Sequence, residues 1–144
     1  MPNMQQSIVI DQPASVVARH YTDWEKYPEF MPAVEKCVPS ADGRRVETHL
    51  KVAGMSFHWT SQIEATGDTS FAWKTVDGNV SHRGTTVIEP LSEERSRMTM
   101  TVEYDTPAGS LLSKFANWLN LADSGLKHSL ENFKAYVENQ PARV

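Results

Sequence analysis

Between Val34 and Tyr104 apolar and polar residues alternate with a period of two. Turn-forming residues recur along the same stretch: Asp42-Gly43, Ala53-Gly54, Gly67-Asp68, Asp77-Gly78-Asn79 and the run from Pro90 to Glu94. Alternation of this kind marks half-buried strands, and Gly, Asn and Asp between them mark hairpin turns. The pattern predicts six antiparallel strands in a meander, near 34–40, 43–52, 55–65, 70–77, 80–89 and 95–105. A further strand is predicted over 4–10, closed by Asp11-Gln12-Pro13. Proline suits the first position of a helix and the polar residues before it can cap, so a helix is predicted over 13–21. Thr22 and Glu25 stand at capping-box spacing and predict a second short helix, which Pro28 and Pro32 interrupt.

After Pro107 the period becomes helical, with Leu126, Leu130, Phe133 and Val137 on one stripe. A single helix over 108–139 would be about 48 Å long, against about 33 Å for a ten-residue strand. A break near Asn120 or Asp123 is therefore expected, leaving a shorter helix over 110–119 with a wide apolar face that includes Phe115 and Trp118.

Because residues i and i+2 share a side of a strand, the alternation also assigns faces. Val46, Thr48, Leu50 and Val52 fall together, as do Met55, Phe57, Trp59, Ser61, Ile63 and Ala65. Phe71, Trp73 and Thr75 share a side, as do Val80, His82, Gly84, Thr86 and Ile88, and then Met98, Met100, Val102 and Tyr104. This is the inward face, and the opposite face is charged and solvated. Two readings of it stand side by side. Threonine is frequent in strands for its β-branch and methionine fills core gaps, which gives a packed core. A mostly apolar lining with a few convergent hydroxyls is equally what a pocket for a greasy ligand needs.

Candidate chemistry is sparse. The inward set holds no Asp, Glu, Lys or Arg, so paired carboxylates and a nucleophile beside a base are missing. His82, Tyr104 and Ser61 are the candidate polar groups for catalysis if there is any, although a satisfied core histidine is the commoner role for a residue such as His82. His20, His49, His58, His82 and His128 have no metal-ligand spacing, and no phosphate-binding glycine loop is visible, so neither metal nor cofactor is expected. The segment from Trp24 through Tyr27, Phe30 and Met31 to Pro32 packs aromatics and prolines into nine residues, as a plug over one end of the sheet or as the rim of a portal.

Composition narrows the class. A chain of 144 residues with 40% hydrophobic and 22% charged residues is globular and sized for one domain, 1–144. Lys+Arg 14 against Asp+Glu 18 gives a net charge of −4, which disfavours nucleic acid. One cysteine, Cys37, excludes an intramolecular disulfide and fits a reducing compartment. The first residues lack the charge and apolar length of a signal or membrane span, so a cytoplasmic location without stable membrane insertion is expected.

Several motifs together resemble a known family. They are Ile8-x-Ile10-x-x-Pro13-x-x-Val16, Asp23-Trp24-x-x-Tyr27-Pro28-x-Phe30-Met31-Pro32, Trp59, Trp73 with Gly78 and Gly84 beyond it, and Glu103-Tyr104-Asp105-x-Pro107-x-Gly109. With the strand order and the terminal helix, they resemble the START-like (SRPBCC, helix-grip) superfamily, nearest its bacterial polyketide cyclase/dehydrase and coenzyme Q-binding branch. The resemblance implies an α+β fold, a curved seven-strand antiparallel sheet around a long C-terminal helix, with two short helices between strands 1 and 2. It also implies a hydrophobic cavity between sheet and helix. The ligand-contacting candidates on the short helices are Trp24, Tyr27, Phe30 and Met31. Those on the strands are Thr48, Phe57, Trp59, Ser61, Phe71, Trp73, His82, Thr86, Met98, Met100 and Tyr104, and Phe115 and Trp118 would complete the wall. Aromatase/cyclases of the family carry an arginine on the strand of Trp59, where this chain reads Ser61-Gln62-Ile63-Glu64, so binding or carriage of a small aromatic, polyketide-like or isoprenoid molecule is favoured over ring closure. A polyketide aromatase/cyclase is the alternative, and a ribosome-associated interaction protein the third. Transient contact with a membrane is compatible with each, and the oligomeric state is left open.

Overall fold

A computed structural model of the protein describes residues 3–31, 33–52, 54–78, 81–104 and 123–139. Seven strands form one curved antiparallel sheet: β1 (Asn3–Ile10), β2 (Val34–Pro39), β3 (Arg45–Val52), β4 (Met55–Gly67), β5 (Ser70–Gly78), β6 (His82–Pro90) and β7 (Ser96–Tyr104). Their spatial order is β1-β7-β6-β5-β4-β3-β2, so β2 to β7 make the expected meander and β1 returns to pair with β7 along its whole length. The hairpin joining β3 to β4 turns at Gly54, whose φ of 78° is open to glycine at little cost.

Helix α1 (Ala14–Tyr21) and a 3₁₀ helix (Trp24–Glu29) lie between β1 and β2, and α2 (Asp123–Glu138) packs on β1. The break expected near Asn120 to Asp123, and the short helix over 110–119 with Phe115 and Trp118, lie outside the described residues. Leu130, Phe133 and Val137 on α2 are buried, as the apolar stripe requires. They join Ile10, Val17, Tyr21, Phe71, Ile88 and Met98 in one core, where each fully buried large side chain contributes roughly 1.5–3 kcal/mol.

Neither predicted cap forms. Pro13 occupies the N-cap of α1 and no side chain caps it; Asp11 instead accepts from Arg95 Nε at 2.8 Å, and the backbone carbonyl of Gln12 accepts from Ser96 Oγ at 3.1 Å. Thr22 closes α1 instead of opening the next helix, its hydroxyl donating to the carbonyls of Ala18 and Arg19. Asp23 is then the N-cap of the 3₁₀ helix and makes no side-chain cap bond.

Candidate functional site

The inward face of the sheet, the 3₁₀ helix and α2 line a cavity of about 240 Å³. Trp24, Tyr27 and Met31 close one side of it, and Ser129, Leu130 and Phe133 of α2 another. The sheet supplies Thr48, Trp59, Ser61, Trp73, His82, Met98 and Met100, with Val46, Leu50, Ile63 and Val102 between them. None of these described lining residues is charged.

Other expected wall residues are placed differently. Phe30 packs against Phe133 and Tyr136, with ring centroids 5.7 and 4.6 Å away. Phe71 is buried against Tyr21, with centroids 5.1 Å apart, and Phe57 is 2% exposed without reaching the cavity lining. Thr86 is fully buried, its hydroxyl donating to the Tyr21 hydroxyl at 2.9 Å. The Thr75 hydroxyl is also spent inside the protein: it accepts from the His82 backbone N–H at 3.1 Å and donates to the His82 carbonyl at 2.9 Å. Ala65, expected inward, is exposed on an outer groove beside Trp24 and Asp42. Tyr104 pairs with His82 across β6 and β7, and its side chain lies outside the described residues.

Four wall residues, Tyr21, Val34, Cys37 and Ser129, belonged neither to the expected inward face nor to the apolar stripe of the last helix. Cys37 stands opposite Thr48 in the β2–β3 register and donates to its hydroxyl with Sγ at 3.7 Å; strict alternation would set it on the opposite face from Val34, and the register shift between Val34 and Lys36 is what lets both line the cavity. Tyr21 ends a helix and carries no period-two signal. The Tyr27 hydroxyl donates to the Tyr21 carbonyl at 2.7 Å, which seats the 3₁₀ helix over the end of α1.

Burial keeps the wall uncharged at neutral pH. It pushes Tyr21 up to about 12, against a smaller opposing effect of the bond from Thr86. It raises Tyr27 well above the usual phenol range, with the neighbouring Tyr21 adding to the effect, and it raises the Cys37 thiol. A protonated thiol is a poor nucleophile. It brings His82 down to about 4, leaving a neutral imidazole.

His82 is the most constrained polar group of the wall. The Trp73 indole N–H donates to its Nδ1 at 3.0 Å, and the Trp59 ring meets it edge-on with centroids 4.9 Å apart. Trp73 reaches this position because Gly84 lies opposite it: a Cβ at Gly84 would stand 2.6 Å from the indole and 2.2 Å from the Thr101 carbonyl oxygen. Among the described residues no group of His, Cys, Asp and Glu is arranged to hold a metal ion.

Residues 1–138 match the protein family described as polyketide cyclase / dehydrase and lipid transport. The chain belongs to this family. An uncharacterized 17.2 kDa protein of Streptomyces lincolnensis is 24% identical over 143 residues, spanning 97% of this chain and 92% of that protein. Two solved structures share the fold of this polyketide cyclase/dehydrase family protein. The Zhui aromatase/cyclase from Streptomyces sp. R1128 has a TM-score of 0.81 at 19% identity, covering 95% of this chain and 93% of its own. A START superfamily protein from Mycobacterium smegmatis has a TM-score of 0.75 at 17% identity, covering 94% and 97%. The START-like, helix-grip fold expected from the sequence is thereby shown for this family member, and none of its described helices is long and apolar enough to cross a membrane.

Proposed function

We propose that this protein binds and carries a small hydrophobic molecule in the cavity between its sheet and α2. The observation that supports the reading most is the cavity wall itself, about 240 Å³ of space bounded by tryptophans, methionines and aliphatic side chains with no charged residue among those described. Pockets for drug-sized ligands run from about 300 to 1,000 Å³, so this volume suits a molecule of one or two rings. The family's description includes lipid transport, which agrees with a carrier.

Ring-closing catalysis is the second reading, favoured by the cyclase half of the family's description and by the likeness to the Zhui aromatase/cyclase. It requires groups that move protons or stabilise an oxyanion. The described wall offers uncharged hydroxyls, one thiol held in its protonated form and one neutral imidazole.

Titration with a two-ring fluorescent probe, 1-naphthylamine at pH 8, tests the carrier reading. Saturable binding of one probe per chain with quenching of tryptophan emission is expected, because Trp24, Trp59 and Trp73 all face the cavity. A folded protein that shows no saturable uptake has a filled core, and the carrier reading then fails. Turnover of an aromatic polyketide by the wild-type protein, lost in His82→Leu, would replace it with the enzymatic reading.

A further inference from the structure

We propose that the cavity selects an uncharged aromatic molecule bearing a carbonyl group, and that His82 Nε2–H is the donor that holds that carbonyl. This inference rests on the carrier reading and adds a ligand class to it.

The argument begins with Trp73. An indole nitrogen can only donate, so the imidazole atom it meets at 3.0 Å must be an acceptor, which fixes that atom as a nitrogen with its lone pair free. A neutral imidazole has one N–H, and with Nδ1 accepting, the proton resides on Nε2. Turning the ring over would put a carbon against the Trp73 N–H and strand a half-buried donor.

The direction of Nε2 follows from the remaining contacts of the residue. Thr75 ties down both backbone polar groups of His82, and the Trp59 edge packs against the ring. Nε2 makes no hydrogen bond to another described residue, yet no fully occluded side-chain nitrogen or oxygen among the described residues lacks a partner. Nε2 therefore opens onto free space, and the space beside His82 is the cavity.

A donor facing an apolar cavity asks for an acceptor, and a hydrocarbon that fills the cavity leaves it unpaired at a cost of about five- to a hundredfold in affinity. A carboxylate would satisfy the donor but would have to shed its water among residues that offer no cation. A ketone, aldehyde or quinone carbonyl meets both conditions. The same tautomer bars His82 from accepting a proton at Nε2, so it can polarise a carbonyl but not act as a base toward it.

Three probes of equal skeleton separate the possibilities: 2-acetonaphthone, 2-ethylnaphthalene and 2-naphthoate, titrated calorimetrically at pH 8. The ketone is expected to bind at least about fivefold more tightly than either of the others. His82→Leu should reduce that preference to about twofold or less, and His82→Gln, which keeps an N–H donor, should restore part of it. Imidazole ¹⁵N shifts of the ligand-free wild-type protein should show His82 protonated at Nε2, with mixed tautomers in Trp73→Phe. Binding of the ketone and hydrocarbon with equal affinity, or a proton on Nδ1, overturns the inference and leaves the carrier reading intact. Failure of all three probes to bind removes both.

Discussion

Thr86 and His82 stand on the same face of β6, four residues apart, and the protein treats them in opposite ways. Around Thr86 the interior is closed: its hydroxyl is consumed by Tyr21, and Tyr21 packs on Phe71 and Trp24. Around His82 the backbone is tied down and Nδ1 is occupied, yet one ring edge is left facing a cavity. Both residues are polar and inward, so polarity does not separate core from site. The difference is whether another element delivers a partner. Helix α1 brings Tyr21 to Thr86 from 65 positions away, whereas no described side chain reaches Nε2.

The largest expected effect that probes this contrast is truncation on either side of it. Ile88→Ala, in the closed part, should cost about 2–5 kcal/mol in urea denaturation, the usual range for a fully buried aliphatic side chain. Met100→Ala, on the cavity wall, should cost under about 2 kcal/mol, because a side chain facing empty space has fewer contacts to lose. Equal costs would mean that the two regions are packed alike.

Acid should act on the open part next. His82 titrates near 6.5 when unfolded and about 4 in the folded protein, the shift arising from burial. Between those values the unfolded chain binds the extra proton, so the contribution of His82 is fully present above about pH 6.5 and is lost as the pH falls toward 4. The loss is up to about 3 kcal/mol. Stability measured from pH 7 to 4 should therefore fall more steeply in the wild type than in His82→Gln, and parallel curves would contradict the buried neutral imidazole.

In the closed part, Tyr21→Phe should cost about 1–3 kcal/mol by stranding the Thr86 hydroxyl. The double change Tyr21→Phe with Thr86→Val should recover much of the loss, as a double-mutant cycle would show. The smallest effect belongs to Ser61→Ala. The Ser61 hydroxyl lines the cavity and makes no hydrogen bond to another described residue, so stability should stay within about 0.5 kcal/mol of wild type. A larger loss would show that Ser61 serves the core.

Much of this was legible in the sequence because strand period, turn residues and face assignment are local properties. The sheet, its meander and the inward placement of Trp59, Trp73, His82 and Met100 follow from alternation and agree with the register. The failures share a cause. Thr22 and Glu25 have the spacing of a cap, but the preceding helix claims the Thr22 hydroxyl first. Thr75 and Thr86 read as free hydroxyls, but their partners lie on other strands or on α1. Ala65 keeps the alternation but sits near the far end of β4, where the outer groove leaves it exposed. Hydrogen-bond capacity and the reach of the core are settled by tertiary neighbours, which a one-dimensional period does not encode.

The close approach at Gly84 has an evolutionary consequence. A side chain there would displace the Trp73 indole, and with it the hydrogen bond that sets the imidazole tautomer. Positions 73, 82 and 84 should thus be inherited as a unit. Lineages that keep histidine at 82 for its cavity-facing N–H should keep tryptophan and glycine at the other two, and a lineage that gains bulk at 84 should drift at all three.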